Sequence, residues 1–330
     1  MGSCYIAYGL CLSSNEFLPG LLEVSESPNP DIRIYLNERP AWYPACEEIF
    51  RQRFYTSPVV DSAGRHSISV WKVPSAPGFH IVYDDGTEFF LDTNGTKIWA
   101  TWPDTLSIED AAVFLRGPVM GFVLRLRGQI PLHASAVDIG GSAILLMGPP
   151  GAGKSTTAAC FAQLGNPLLS DDIVPLVEQD GTFLAQPGYP RVCLWPQSVE
   201  ALFGSAAALP LISPNWTKRF LSLQETEGGF SNEPLPISAI YWLDEASEDL
   251  DSPEIESLAP GDSFMALVGN SYMNYLLDEA MRVKEFEVLG RVSAQIPIRR
   301  VRPRQDLRGL EELCQLIQRD LAILPEPSLR

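Results

Sequence analysis

The chain has 330 residues, 45% hydrophobic and only 20% charged, which excludes a disordered polymer and leaves room for two domains. A formal net charge of −17 argues against a general nucleic-acid binder and against an anionic membrane surface as partner, since both need a basic footprint. Cys4, Cys11, Cys46, Cys160, Cys193 and Cys314 include no C-x-x-C pair, so reduced thiols are expected rather than a disulfide framework or a zinc site.

Met1 to Ser14 lacks the basic opening of a signal peptide. The longest apolar region, 111–126, is interrupted by Arg116, Gly117, Pro118 and Arg125. A soluble cytoplasmic protein is therefore expected. Residues 1–127 predict a β-rich N-terminal α+β domain. Ile32–Leu36 and His66–Trp71 alternate in strand fashion, and Asp85-Gly86 and Asn94-Gly95 predict hairpin turns. His66 and His80 stand alone in this meander and read as structural. A linking helix is predicted over 107–127, with Ser107 as N-cap, Glu109 and Asp110 in its first turn, and a kink at Pro118. The domain junction falls near Gly128, giving a second domain over 128–330.

That domain opens with a predicted strand, Leu132–Val137, a Gly140-Gly141 turn, and the apolar strand Ala143–Met147. Register counting from the turn pairs Ile139 with Ser142 and, at the far end, His133 with Gly148. A lone histidine is usually structural, yet this position beside a glycine loop keeps a catalytic or phosphate-facing role open. Gly148, Pro149, Pro150, Gly151, Ala152, Gly153, Lys154 and Ser155 fit the phosphate-loop pattern G-x-x-x-x-G-K-[ST]. A helix from Ser155 through Thr156 to Leu164, ended by Gly165, would aim its dipole at a bound phosphate. The glycines let backbone approach phosphate oxygens. Lys154 would bridge the β- and γ-phosphates, and the Ser155 hydroxyl would ligate Mg²⁺. Residues 148–156 are thus the candidate nucleotide-binding set, with ATP and Mg²⁺ as cofactors.

A short strand then ends in Asp171 and Asp172. After a right-handed crossover it would run parallel to the strand of the loop and deliver both acids to the same rim. A Mg²⁺ ligand or a catalytic base is needed there, although a polar turn would have the same sequence. Neighbouring strand residues point to opposite faces, so the two carboxylates should have different tasks. Ser238–Leu243 predicts another strand and 244–256 a solvated acidic loop. Asp262 and Ser271 are candidate N-caps of two short helices around Gly269-Asn270. The basic cluster 299–304 would either meet phosphates or balance nearby acids, and Lys218-Arg219 carries the same two readings. Residues 306–321 predict an amphipathic helix.

His133, the 148–155 loop and Asp171-Asp172, in that order and spacing, resemble the HPr kinase/phosphorylase family of P-loop kinases. The resemblance covers about residues 128–180 well and the rest of the second domain loosely. It implies an α/β fold whose second domain is a mixed-sheet domain similar to HPr kinase and phosphoenolpyruvate carboxykinase. The β-rich N-terminal α+β domain before it looks unlike the first domain of the sugar-regulating enzymes of that family. Asp172 would then be the base for an acceptor hydroxyl, Asp171 a metal-associated acid beside Ser155, and His133 and Lys154 active-site partners. The family pattern tied to the reverse, phosphorylase reaction is not evident after the acids, so a kinase alone is expected. The N-terminal opening Tyr5–Leu10, with Pro131–Ala136, looks more like HPr-kinase-related proteins of lasso-peptide biosynthesis, which phosphorylate the C-terminal serine of a precursor peptide.

The expected reaction is transfer of the γ-phosphoryl group of ATP to a serine or threonine hydroxyl of a peptide or small protein. A nucleotide-gated peptide-binding protein without catalysis, and a kinase acting on free serine or a metabolite, remain alternatives. The oligomeric state is open, a homo-oligomer included.

Overall fold

The computed structural model describes residues 3–25, 27–43, 52–73, 78–226, 228–246, 250, 252–304 and 306–324. Cys46 lies outside them, as do parts of the acidic stretch after Asp244. The chain divides into two units, the first comprising Met1–Gly128 with Ser213–Asn215 and Met273–Asp278. Among the described residues, no helix is long and apolar enough to cross a membrane.

The first unit is built on a nine-stranded sheet of β1 (Ser3–Ala7), β2 (Leu10–Ser14), β3 (Leu22–Val24), β4 (Ile32–Leu36), β5 (Gln52–Thr56), β6 (Ile68–Val73), β7 (Gly78–Tyr83), β8 (Glu88–Asp92) and β9 (Lys97–Thr101). Its order is β3-β1-β2-β4-β9-β8-β7-β6-β5. The alternation of β4 buries Ile32, Ile34 and Leu36 on one face. Gly86 and Gly95 take the positive φ that the β7–β8 and β8–β9 turns require. His80 is structural: it is 2% exposed, lies 2.7 Å from Glu88 and stacks on Phe90.

The linking helix forms as two pieces, α1 (Ile108–Phe114) and α2 (Met120–Leu126), joined by a wider turn at Leu115–Val119. Pro118 cannot supply an N–H, and Gly117 leaves helical φ/ψ to accommodate it. Ser107 caps α1 with a reciprocal bond to Asp110, an arrangement worth about 0.5–2 kcal/mol.

The second unit contains β10 (Ile130–Leu132), β11 (Ala134–Ile139), β12 (Ser142–Met147), α3 (Lys154–Gln163), β13 (Leu168–Ser170), β14 (Val174–Gln179), β15 (Thr182–Ala185), β16 (Arg191–Leu194), α4 (Pro196–Phe203) and β17 (Arg219–Ser222). It continues with β18 (Leu235–Leu243), β19 (Glu254–Ser257), α5 (Pro260–Gly269), α6 (Glu279–Gln295), β20 (Ile298–Arg302) and α7 (Leu310–Leu321). A mixed sheet runs β10-β14-β15-β18-β12-β11-β13, with β20 alongside β18. β12 is apolar from Ala143 to Met147 because both faces are covered there. Ile144 and Leu146 pack with α3 and α7, whereas Leu145 and Met147 pack with Leu267 of α5 and Leu289 of α6.

Three expectations are corrected here. No helix begins at Ser271, whose hydroxyl instead donates to Glu285 inside α6. α5 starts at Pro260 after Ala259, so Asp262 sits within the first turn rather than capping it. The acidic stretch is partly strand, since β19 pairs with β20. Two arginines of the basic cluster balance acids of that stretch, Arg300 pairing with Asp244 at 2.5 Å and Arg302 with Glu254 at 3.0 Å, while Arg299 pairs with Asp320 of α7 at 2.6 Å.

Candidate active site

The β11–β12 hairpin turns on Gly140 and Gly141, both at positive φ, and its ladder runs from Ile139–Ser142 to Ala134–Met147. The next pair in that register, His133 with Gly148, does not form. Asn270, just after α5, takes both N–H groups instead: its backbone oxygen accepts from His133 at 2.7 Å and its side-chain oxygen from Gly148 at 3.1 Å. The strand expected over 132–137 is therefore broken at His133 into β10 and β11.

Gly148 has φ +147°, and a Cβ there would stand 2.3 Å from the Leu243 carbonyl oxygen. Only glycine fits. Gly151 and Gly153 also take positive φ, and Gly153 stands at the N-cap of α3. Pro149 and Pro150 carry no N–H, so the donor amides of the loop begin at Gly151. Lys154 is 7% exposed and its Nζ donates to the carbonyls of Gly148, at 2.8 Å, and Pro149, at 3.2 Å. Burial lowers its pKa, with Asp172 and Asp171 opposing and Lys218 adding to the fall. The Thr156 hydroxyl bonds Ser198 of α4 at 2.8 Å, so that residue has only backbone to offer a nucleotide.

β13 pairs antiparallel with β11, which pairs antiparallel with β12. β13 therefore runs parallel to β12, as expected, but one strand removed, and its carboxyl end reaches the same edge as the loop. Asp171 is 4% exposed. Ser135 donates its hydroxyl at 2.7 Å and Cys193 its N–H at 3.1 Å. Burial pushes this carboxyl above its ordinary pKa, the Ser135 hydroxyl opposes, the Asp172 charge adds, and the Ser155 hydroxyl and Cys193 N–H oppose.

Asp172 has φ +72°, and this left-handed backbone, rather than the alternation of a strand, separates the two acids. Its side chain keeps 42% of its surface open. Nε2 of His133 lies 3.3 Å from one oxygen, and the Tyr272 hydroxyl donates to the other at 3.0 Å. Burial raises the pKa of this carboxyl, but His133, Lys218 and Tyr272 outweigh it and hold the group below its usual value. The His133 and Tyr272 rings meet edge to face at 5.6 Å.

Two residues of this site escape sequence reasoning. Asn270 and Tyr272 lie 122 and 100 residues from the groups they bind, with no local pattern to mark them. Lys218, which the sequence leaves between a phosphate contact and a balancing surface charge, lies over the Trp195 ring at 4.9 Å, and its charge acts on both Asp172 and Lys154.

The oxygen donors present suit Mg²⁺: the Ser155 hydroxyl interacts with the buried Asp171 carboxylate at the start of α3. Among the described residues, no group of three or more His, Cys, Asp or Glu could hold a metal by itself. An ion here would depend on waters and phosphate oxygens for most of its shell, which is the habit of Mg²⁺.

A stretch of 104 residues, 31% of this chain, is 40% identical to HPr kinase/phosphorylase of Clostridium botulinum strain Alaska E43. Part of this chain is HPr kinase-like. A second C. botulinum enzyme of that name, from strain Eklund 17B, is 40% identical over 60 residues, and that of Clostridium beijerinckii is 27% identical over 99. The HPr kinase-like match spans about a third of the length of the first of these curated relatives (32%). No protein-family model matches the chain. The solved HPr(Ser) kinase/phosphatase from Coxiella burnetii aligns over 58% of this chain and 90% of its own, with TM-score 0.33 and 13% identity.

Proposed function

We propose that this chain is an ATP- and Mg²⁺-dependent kinase that phosphorylates a serine or threonine hydroxyl of a peptide or small protein. The observation that carries the reading is Asp172: a half-exposed, ionised carboxylate, oriented by His133 and Tyr272, at the sheet edge where the 148–155 loop leaves β12. The HPr kinase-like segment supports the same reaction class.

Phosphoryl transfer proceeds through a loose transition state, so the protein contributes alignment and charge neutralisation above all. The loop amides from Gly151 onward would hold the phosphates, and Lys154 would exchange its carbonyl partners for their oxygens. Ser155 and Asp171 would hold the Mg²⁺, which when bound neutralises charge on the β- and γ-phosphates. Asp172 would accept the hydrogen bond of the acceptor hydroxyl and finally its proton. Its lowered pKa makes it a modest base. A loose transition state demands little proton removal before the phosphoryl group has moved, so orientation is its larger contribution. His133 and Tyr272 fix both of its oxygens for that task.

The test is intact-mass analysis of candidate peptides after incubation with Mg-ATP, beginning with precursor peptides that end in serine. A gain of one phosphate that requires both Mg²⁺ and Asp172 supports the reading. Peptide binding gated by ATP with no mass gain would replace it with a non-catalytic switch, and phosphorylation of free serine would move the acceptor class to small molecules.

A further inference from the structure

Beside the phosphate loop is an open recess that neither the acids nor the Lys154 contacts use. It is a shallow recess, open to solvent on one side. Its walls come from the loop itself at Ala152, from the segment after β18 at Ala246 and Pro253, and from the segment after β20 at Pro303 and Arg304, with Leu310 of α7 behind. β12, β18 and β20 are mutually parallel, so all three segments leave the carboxyl edge of the sheet. That edge is where open α/β sheets bind ligands.

We infer that this recess holds the nucleoside half of the nucleotide, with Arg304 stacking on the base. The inference rests on the proposed kinase reading and adds a direction to it. In the sheet order β13-β11-β12-β18-β20, the acids after β13 lie on one flank of the phosphate loop and the recess after β18 and β20 lies on the other. A triphosphate laid across the loop with its terminal phosphate toward Asp172 brings its nucleoside to the recess. The lining suits a flat heterocycle: proline and leucine side chains supply apolar walls, and a planar guanidinium stacks on a π-face. Arg304 differs from Arg299, Arg300 and Arg302, each of which has a carboxylate partner, whereas no ion pair of Arg304 occurs among the described residues.

The experiment is a calorimetric titration of the full chain with Mg-ATP and, separately, with Mg²⁺ and inorganic tripolyphosphate. The obstructing variant is Gly309→Phe. Gly309 lines the recess, has ordinary φ, and a Cβ added there meets no atom within 4 Å. Gly309→Phe should weaken ATP binding about tenfold or more, and Arg304→Ala roughly five- to tenfold, while tripolyphosphate affinity stays at the wild-type value. If neither variant alters ATP affinity, or if ATP and tripolyphosphate weaken together, the nucleoside assignment is overturned and the phosphate-loop reading stands. If the wild-type chain binds neither compound, the kinase reading fails and takes this pocket with it.

Discussion

The side-chain oxygen of Asn270 accepts the backbone N–H of Gly148 at 3.1 Å, tying the first glycine of the 148–155 loop to the end of α5. The backbone oxygen of the same residue holds His133, and two residues later Tyr272 holds Asp172. One short segment thus braces the loop, the histidine and the exposed acid together. Asn270→Ala leaves a buried N–H without an acceptor, at a cost of about 1–3 kcal/mol. The expected result is a lower Tm with a raised KM for ATP. Asn270→Asp, which keeps an acceptor oxygen, should recover part of both; a Tm and KM unchanged in the alanine variant would remove Asn270 from the site.

Gly148→Ala should be far more damaging than Gly151→Ala. The first adds a Cβ 2.3 Å from a backbone oxygen that cannot swing away, on top of a left-handed φ. The second meets nothing within 4 Å and carries only the strained φ, worth about 1–3 kcal/mol. Chemical denaturation of both variants measures the gap, and equal losses would contradict the packing described at Leu243.

Asp172→Asn should lower kcat by roughly 10²–10⁴-fold with little change in KM for ATP. Near-wild-type turnover would show that Asp172 is not the base.

The same carboxyl gives a pH signature. Asp172 must be ionised to act, and its pKa is held below the ordinary value, so activity limited by this group falls only in strong acid. Removing a partner lets the pKa rise and moves the acid limb to higher pH. His133 opposes burial more strongly than Tyr272 does. The limb should therefore move further in His133→Ala than in Tyr272→Phe, as read from kcat against pH; the reverse order would refute this account of the charge balance.

In the first unit, Asp110 is fully buried and accepts from Ser107, Ser213 and Asn215. Burial raises its pKa, but those bonds outweigh it and the folded value lies below normal. A depressed folded pKa means stability that is present at neutral pH and lost as pH falls from about 4 through the folded value. Asp110→Asn should cost about 1–3 kcal/mol at pH 7, and the Tm difference from wild type should close in acid. A difference independent of pH would assign the loss to packing alone.

Local chemistry made much of this readable from sequence. The strand–loop–helix passage at 143–164, the Gly140-Gly141 turn, the Ser107 cap and the Pro118 break each depend on residues adjacent in the chain. Long-range pairing was not readable. The His133–Gly148 pair follows from counting, yet it is displaced by an asparagine more than a hundred residues away. α6 carries Val283 and Phe286 on an exposed surface, which blurs the apolar stripe that would mark it as a helix. The separation of the acids was anticipated, but for the wrong cause: a single left-handed residue does what strand alternation was expected to do.

The antiparallel strand between β12 and β13 also acts as a ruler. Neighbouring strands lie about 4.8 Å apart, so the loop and the acids spring from positions roughly one nanometre apart, fixed by a lattice of peptide groups rather than by flexible side chains. His133 heads the intervening strand, near the middle of that gap. Substituting side chains around the gap can therefore change the chemistry at either side while the span between the loop and the acids stays constant.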